Sequence, residues 1–154
     1  WLNACSGCEI SILNIGDPLL DILPELEFQH MTALVDHKFF GQIGDKTDME
    51  IPEATVAIVS GGVRNEEMKH ELEEIRKHTK ILIALGSCAC FGGVSRLKND
   101  GDLEHANRIV YGDRPRDTMP VRPLRDVVPV DRLWRRGEVD PAPAHPVGQA
   151  EPCR

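Results

Sequence analysis

The sequence has few aromatic residues and no long apolar run. Only 5% of its 154 residues are aromatic, against 41% hydrophobic residues overall, so we expect a buried core that is mainly aliphatic. No stretch approaches the roughly 18 consecutive apolar residues that indicate a membrane-spanning helix. The net charge of −7 provides no basic excess, which argues against a nucleic-acid-binding protein.

The glycine pairs of the sequence do not form a phosphate-binding motif. Gly61-Gly62 and Gly92-Gly93 each lie downstream of an apolar run. Neither pair occurs in a G-x-x-x-x-G-K-S/T or a G-x-G-x-x-G pattern, which are the glycine spacings that hold a nucleotide phosphate against a helix start. We therefore predict no nucleotide site.

The first 98 residues alternate between strand and helix patterns. Residues 54–59 and 80–85 are short β-branched or aliphatic runs, as expected of buried parallel strands. Between them, Asn65 can cap a helix whose apolar residues recur at spacings of three and four. A strand, a helix and a strand within this length predict a βαβ unit. The predicted fold class is therefore α/β, a flavodoxin-like doubly wound parallel sheet.

The flanking segments give weaker patterns. Residues 1–4 resemble the end of a strand, residues 9–23 predict a helix that Pro18 kinks or breaks, and residues 28–35 predict a second strand. Further on, residues 102–111 predict a helix and residues 127–133 a strand, which Pro129 would confine to an edge or a bulge.

The composition changes after Lys98. Residues 99–154 hold nine Arg and no Lys, and eight of the eleven prolines lie between Pro115 and Pro152. We expect irregular structure beyond Trp134, which divides the chain into a domain of residues 1–134 and a Pro/Arg-rich tail of residues 135–154. This tail is compatible with a divergent end or with a shifted reading frame.

The five cysteines are spaced like metal ligands. Cys5-Ser-Gly-Cys8 follows the first predicted strand, and Cys88-Ala-Cys90 follows the strand that ends at residue 85. If those strands are neighbours, Cys5 and Cys88 face one crevice at the carboxyl ends of the sheet. Three interpretations remain open: an iron–sulfur cluster, a structural zinc site and a dithiol redox site. For Cys90 we favour a small buried residue or a loop residue without a ligand role.

Three sequence blocks resemble a known family. They are the opening Trp1-Leu-Asn-Ala-Cys-Ser-Gly-Cys-Glu-Ile-Ser, then Ile58-Val-Ser-Gly-Gly-Val-Arg-Asn-Glu-Glu67, then Ala84-Leu-Gly-Ser-Cys-Ala-Cys-Phe-Gly-Gly93. In this order and spacing they resemble the small subunits of cytoplasmic NiFe hydrogenases, most closely the viologen-reducing and deazaflavin-linked group, with the NAD-reducing type as the competitor. The family is related to the 20 kDa subunit of respiratory complex I. That subunit has adjacent cysteines where this chain has two intervening residues.

The resemblance implies a site and a role. It implies a 4Fe-4S cluster that relays electrons to or from the nickel–iron site of a separate large subunit, with no catalytic residue in this chain. Cys5, Cys8 and Cys88 match three of the cluster's four ligands, as ligands of its iron. The fourth normally lies in a Gly-Cys-Pro-Pro block, which this chain lacks, so Cys153 is the candidate. The resemblance also implies further electron-transfer subunits and a cytoplasmic location. We expect no nucleic-acid partner and no direct membrane span.

Two other functions remain as alternatives. One is a complex-I-like iron–sulfur subunit of a quinone-coupled oxidoreductase, and the other is a stand-alone Cys-x-x-Cys dithiol oxidoreductase. Glu9 follows a predicted ligand directly, so it could carry protons, contact the large subunit or simply stabilise a helix start. Aliphatic and aromatic residues that we expect a large subunit to cover are Leu19, Leu20, Phe39 and Phe40.

Overall fold

Alternating helices and strands make up the part of the chain that the structure describes. This computed structural model describes residues 6–31, 49–114, 117–135 and 138–141. The helices are α1 (Gly7–Leu13), α2 (Asp17–Ile22), α3 (Glu66–Lys77), α4 (Gly86–Phe91) and α5 (Leu103–Tyr111). The strands are β1 (Ala54–Ser60), β2 (Thr79–Leu85), β3 (Arg132–Arg135) and β4 (Glu138–Pro141), and short 3-10 helices span Leu23–Glu25, Val94–Asp100 and Leu124–Asp126.

The strands form one sheet in the order β1-β2-β3-β4. β1 pairs with β2 in parallel, and β2 pairs with β3 in parallel. β4 runs antiparallel to β3 at the edge of the described sheet. The prediction of an α/β fold with a parallel, flavodoxin-like sheet is confirmed.

The βαβ unit of β1, α3 and β2 is formed as the sequence predicts. The side chain of Asn65 accepts a hydrogen bond of 2.9 Å from the backbone N–H of Met68, which satisfies one of the free donors at the start of α3. Two glutamates in the first turn of α3, and Arg76 and Lys77 in its last turn, complement the helix dipole.

The core is aliphatic, as the low aromatic content predicts. Leu72 of α3, Leu82 of β2 and Leu124 are fully buried in one cluster. Burying each such leucine contributes roughly 1.5–3 kcal/mol relative to its exposure to water. On the opposite face of the sheet, Val56 and Ile58 remain 43% and 45% exposed.

The predicted helix over residues 9–23 is in fact two helices. α1 ends at Leu13, and α2 begins at Asp17 after Gly16, which has φ +79°. Pro18 lies in the first turn of α2, where its missing N–H costs no hydrogen bond. The predicted break is therefore present, and it lies just before Pro18, at Gly16.

The two flanking strand predictions have different outcomes. Of residues 28–35 the structure describes only 28–31, which are irregular apart from an isolated bridge at Met31, and the remainder lies outside the described residues, as do residues 1–4. The prediction of a strand over 127–133 is wrong in its position, because β3 begins only at Arg132. Pro129 has no N–H for a ladder, and β3 lies beyond it, between β2 and β4.

The prediction of an irregular tail over 135–154 is wrong for its first residues. Arg135 is the last residue of β3, and β4 pairs Glu138 with Arg135 and Pro141 with Arg132. Only two residues separate these strands, which is the commonest length between antiparallel neighbours, and a hairpin needs no long apolar period. Residues 142–154 lie outside the described residues.

Asp131 connects α3, β2 and the start of β3. Its carboxylate accepts hydrogen bonds of 2.8 Å from the backbone N–H of Leu82 and from the Arg76 guanidinium. Its own N–H donates to the Leu82 carbonyl at 2.9 Å. The pKa of Asp131 is lowered, most strongly by the hydrogen bond from the Leu82 N–H and further by Arg76. Desolvation opposes this effect.

We predict that Asp131→Ala lowers the free energy of unfolding by about 1–2 kcal/mol near neutral pH, a value reduced for the carboxylate's partial exposure. Because the folded-state pKa is lowered, this contribution is present above the unfolded-state pKa of about 3.9 and is lost as the pH falls through the folded value. Denaturant unfolding of the protein and the variant, near neutral pH and in acid, measures it.

The matched control is Asp126→Ala, because Asp126 is a similarly exposed carboxylate that pairs with Arg125 only at 3.9 Å. We expect the control to cost a few tenths of a kcal/mol at most. An Asp131→Ala deficit that stays constant from neutral to acid pH would show that the carboxylate charge does not stabilise the fold.

Candidate metal centre

The carboxyl ends of β1 and β2 lie side by side and create the site. Ser60 and Leu85, the last residues of these strands, are direct partners in the parallel register. Beyond β1 the chain continues through Gly61-Gly62, and beyond β2 it turns directly into α4. A ligand site in a parallel α/β sheet is expected at this edge.

Cys8 reaches this edge from α1. The Cys8 Sγ lies 3.7 Å from the carbonyl oxygen of Leu85, within the range of a weak S–H donor bond, and the side chain is half-buried. Ser6, immediately before α1, has φ +55° and is the one non-glycine residue with positive φ among those described. Such a backbone conformation costs energy and is found preferentially at functional sites.

Cys88 lies at the same edge, in the first turn of α4 (Gly86–Phe91). Gly86 has φ +82°, and a Cβ on it would overlap the Cys8 Sγ. The thiol of Cys8 therefore lies against the residue that begins α4, two positions before Cys88. Gly86 begins α4 between the two cysteines. Because it has no side chain, the Cys8 sulfur can occupy the volume where a Cβ would lie.

The backbone of Gly93 lies close to the Cys88 thiol, where a larger residue would collide with it. Gly93 has φ +58°, and a Cβ on it would stand 2.5 Å from the Cys88 Sγ and 2.9 Å from the Cys88 Cα. The loop after β1 also approaches the Cys88 backbone closely, since a Cβ on Gly62 would stand 3.4 Å from the Cys88 carbonyl oxygen. Glycine thus contacts both described thiols of the site, and both thiols are half-buried.

Cys90 is separate from these two thiols. It is fully buried in the core, and its Sγ lies 3.4 Å from the Ala84 carbonyl oxygen. The prediction that Cys90 is a small buried residue is confirmed. Its position on α4, two residues after Cys88, directs it into the domain.

The structure tests only part of the predicted ligand set. Cys5 and Cys153 lie outside the described residues. Within the described part of the chain, no group of three or more His, Cys, Asp or Glu side chains could hold a metal ion. Cys8 and Cys88 are thus the two predicted ligands whose positions are known, and their thiolates are the soft donors that iron–sulfur clusters and zinc prefer. Two half-buried sulfurs, with glycines in place of side chains around them, fit a bulky sulfur-bound group.

Glu9 and Ser60 form a contact that sequence reasoning missed. The Ser60 hydroxyl donates a hydrogen bond to the Glu9 Oε1, which joins α1 to the carboxyl end of β1. Ser60 is only 5% exposed. The sequence signal was a hydroxyl at the end of a mainly apolar strand, but nothing in the sequence identifies its partner 51 residues away.

One protein family matches nearly the whole chain. The family described as NADH ubiquinone oxidoreductase, 20 kDa subunit, matches residues 5–140. The match includes Cys5, Cys8 and Cys88 and ends before Cys153.

Two relatives and one solved structure are similar to this chain. A subunit of the vhu F420-non-reducing hydrogenase of Methanococcus voltae is 38% identical over 83% of this chain and 41% of its own length. The iron-sulfur subunit of an F420-non-reducing hydrogenase of Archaeoglobus profundus is 27% identical over 77% of this chain and 38% of its own length. A chain of an NAD+-reducing NiFe hydrogenase, crystallised in the H2-reduced state, superposes with a TM-score of 0.69 and 28% identity, over 84% of this chain and 75% of that chain.

This chain spans less than half the length of the F420-non-reducing hydrogenase subunits that it matches, with shares of 41%, 46% and 44% for three of them. None of the helices that the structure describes has the length and apolar character required to cross a bilayer.

We predict that Gly93→Ala destabilises the protein more than Gly112→Ala does. The two glycines have nearly the same backbone angles, φ +58° and ψ −155° at Gly93 against φ +64° and ψ −143° at Gly112. Both variants carry the backbone strain of about 1–3 kcal/mol, but only the Cβ at residue 93 meets Cys88, whereas the one at 112 meets nothing within 4 Å. Thermal unfolding of both variants measures the difference, and equal melting temperatures would show that Gly93 is not packed on Cys88.

The resemblance that the three sequence blocks indicated is confirmed by these comparisons. The parallel sheet, the superposition on a hydrogenase chain and the match over residues 5–140 agree with one another. This chain belongs to the family of the NADH ubiquinone oxidoreductase 20 kDa subunit, and hydrogenase subunits are among the proteins similar to it.

Proposed function

We propose that this chain is the electron-transfer small subunit of a NiFe hydrogenase. It would hold a 4Fe-4S cluster and relay electrons to or from the nickel–iron site of a separate large subunit, in hydrogen oxidation or proton reduction. The observation that supports this most is the position of Cys8 and Cys88. Their thiols come from the first turns of two helices, α1 and α4, are 80 residues apart in sequence, and lie beside the ends of two paired strands.

The proposed iron ligands are Cys5, Cys8 and Cys88. All three lie inside the family match, and Cys5 precedes Cys8 by three residues. Cys153 is the candidate for the fourth ligand, and an extended tail of about twenty residues at roughly 3.3 Å each has ample reach. Against Cys153 stand its position beyond the family match and the entropy of ordering such a tail, about 1–2 kcal/mol per residue.

The cluster would supply one-electron transfer at a potential set by its hydrogen bonds and exposure. This chain's own contribution is to hold the thiols and limit the access of water. Cys8 lies against the Leu85 carbonyl and Cys88 against Gly93, so both sulfurs are partly enclosed while an open side remains. A half-exposed cluster is suited to a second subunit that covers it and accepts or supplies the electron.

Helices α1 and α2 are the proposed docking surface for that subunit. No residue of α1 or α2 is buried. Their apolar side chains are exposed to solvent instead, as Ile10 at 51% and Leu20 at 64% show. Contiguous exposed apolar residues indicate a surface that a partner covers. Leu19, also expected at the interface, is half-buried, and Phe39 and Phe40 lie outside the described residues.

A complex-I-like subunit of a quinone-coupled oxidoreductase is the second candidate function. The description of the matching family favours it. The two residues between Cys5 and Cys8 favour the hydrogenase, because the complex I subunit has adjacent cysteines there. Assays of the purified complex for hydrogen turnover and for quinone reduction separate the two.

We predict that Cys5→Ser, Cys8→Ser and Cys88→Ser each abolish cluster binding and hydrogen turnover. Each removes one thiolate from a cluster that needs about four. Cys90→Ser is the matched control, because its side chain faces the Ala84 carbonyl in the core. Iron and acid-labile sulfide analysis of anaerobically purified protein measures cluster binding. Full iron content and activity in one of the first three variants would remove that residue from the ligand set, and an absence of iron in the unmodified protein would favour a dithiol site.

We also predict that a large subunit raises the melting temperature of this chain, and that Leu20→Lys reduces the increase. A partner that binds only the folded state stabilises it by mass action, and a charge on the docking surface weakens that binding. Ile109→Lys on α5 is the matched control, since Ile109 is similarly exposed at 71% but lies on another helix. Equal losses for the two variants would place the interface elsewhere.

A further inference from the structure

The start of α1 is attached to the sheet through two neighbouring side chains. Cys8 contacts the Leu85 carbonyl at the end of β2, and Glu9 accepts from the Ser60 hydroxyl at the end of β1. Ser60 and Leu85 are register partners, so the two contacts lie side by side across adjacent strand ends. We infer that Glu9 is a positioning residue that holds Cys8 in place, an inference that rests on the proposed function where Cys8 is a cluster ligand.

Apolar packing does not explain the position of α1. The helix has seven residues, which is too short for stability in isolation, and none of them is buried. Its N-cap residue, Ser6, adopts φ +55° and makes no side-chain capping bond. Among the described contacts, the polar ones of the first turn are therefore those that join this helix to the sheet.

The Ser60 hydroxyl needs the partner that Glu9 supplies. At 5% exposure it has little access to water, and a buried hydroxyl without a hydrogen bond is costly. A carboxylate acceptor makes a stronger bond than a neutral one does. Since Glu9 follows Cys8 directly, a bond that fixes Glu9 also restricts where the Cys8 sulfur can lie.

Loss of this bond should release Cys8 before it affects the rest of the domain. The Cys8 residue is half-buried, so local opening of its segment raises the rate at which the thiol reacts with an alkylating reagent. Cys90, in the core, reacts only when the whole domain unfolds. The two thiols therefore report local and global opening in one sample.

The experiment is iodoacetamide labelling of the full chain, freed of metal and kept reduced, with each cysteine quantified by mass spectrometry. We expect Glu9→Leu to label Cys8 at least about tenfold faster than the unmodified chain does, which is the lower end of the loosening expected when a hydrogen bond to a charged acceptor is lost. Labelling of Cys90 should remain slow. Ser60→Ala should reproduce the effect, and the double variant should label Cys8 no faster than either single variant.

The conservative variant and a remote one are the controls. Glu9→Gln retains an oxygen that accepts from Ser60, so Cys8 should label at about the rate of the unmodified chain. Glu25→Leu removes an exposed glutamate from the 3-10 helix after α2 and should change nothing. Unchanged labelling of Cys8 in Glu9→Leu would overturn the inference, as would equal acceleration at Cys8 and Cys90 in both Glu9→Leu and Ser60→Ala.

A second measurement separates this inference from the proposed function. In the anaerobically purified complex, Glu9→Leu should alter the electron paramagnetic resonance spectrum of the reduced cluster, and Glu9→Gln should restore it. A cluster spectrum that is the same in all three proteins would overturn the positioning role while leaving the proposed function intact. If the complex contains no iron as purified anaerobically, but the chain shows the expected labelling pattern, the proposed function is overturned. The contact between Glu9 and Ser60 is then still established.

Discussion

The parallel register of β1 and β2 is the constraint on which the site depends. It places Ser60 opposite Leu85, so that both strands end at the same level. Every described feature of the site follows from that alignment: the turn into α4 that carries Cys88, the carbonyl that Cys8 contacts, and the hydroxyl that Glu9 accepts from. A shift of one residue in this pairing would invert the faces of one strand and separate these groups.

Two glycines leave space for the cysteine sulfurs at the carboxyl ends of β1 and β2. Gly86 and Gly93 both have positive φ, and each stands where a Cβ would collide with a cysteine sulfur. The same residues therefore allow the sharp turns around α4 and leave volume beside the thiols. The arrangement explains how the starts of two separate helices, α1 and α4, can present sulfur atoms at one edge without enclosing them completely.

Local signals in the sequence predicted what local physics determines. The apolar runs of β1 and β2, the Asn65 cap of α3 and the aliphatic core follow from composition and spacing, and the spacing of the cysteines indicated a site at the strand ends. Contacts between distant residues were not predictable in this way. The bonds from Asp131 to Leu82 and from Ser60 to Glu9 join residues 49 and 51 positions apart, and no local pattern selects such partners.

The central claim is that cysteine thiolates at the ends of β1 and β2 hold an iron–sulfur cluster. Iron X-ray absorption spectroscopy on the anaerobically purified protein tests it most directly, because it reports which atoms surround the metal. We expect iron with a shell of sulfur ligands and a second shell of neighbouring iron atoms. Iron bound only to oxygen or nitrogen, or zinc in place of iron, would contradict the claim.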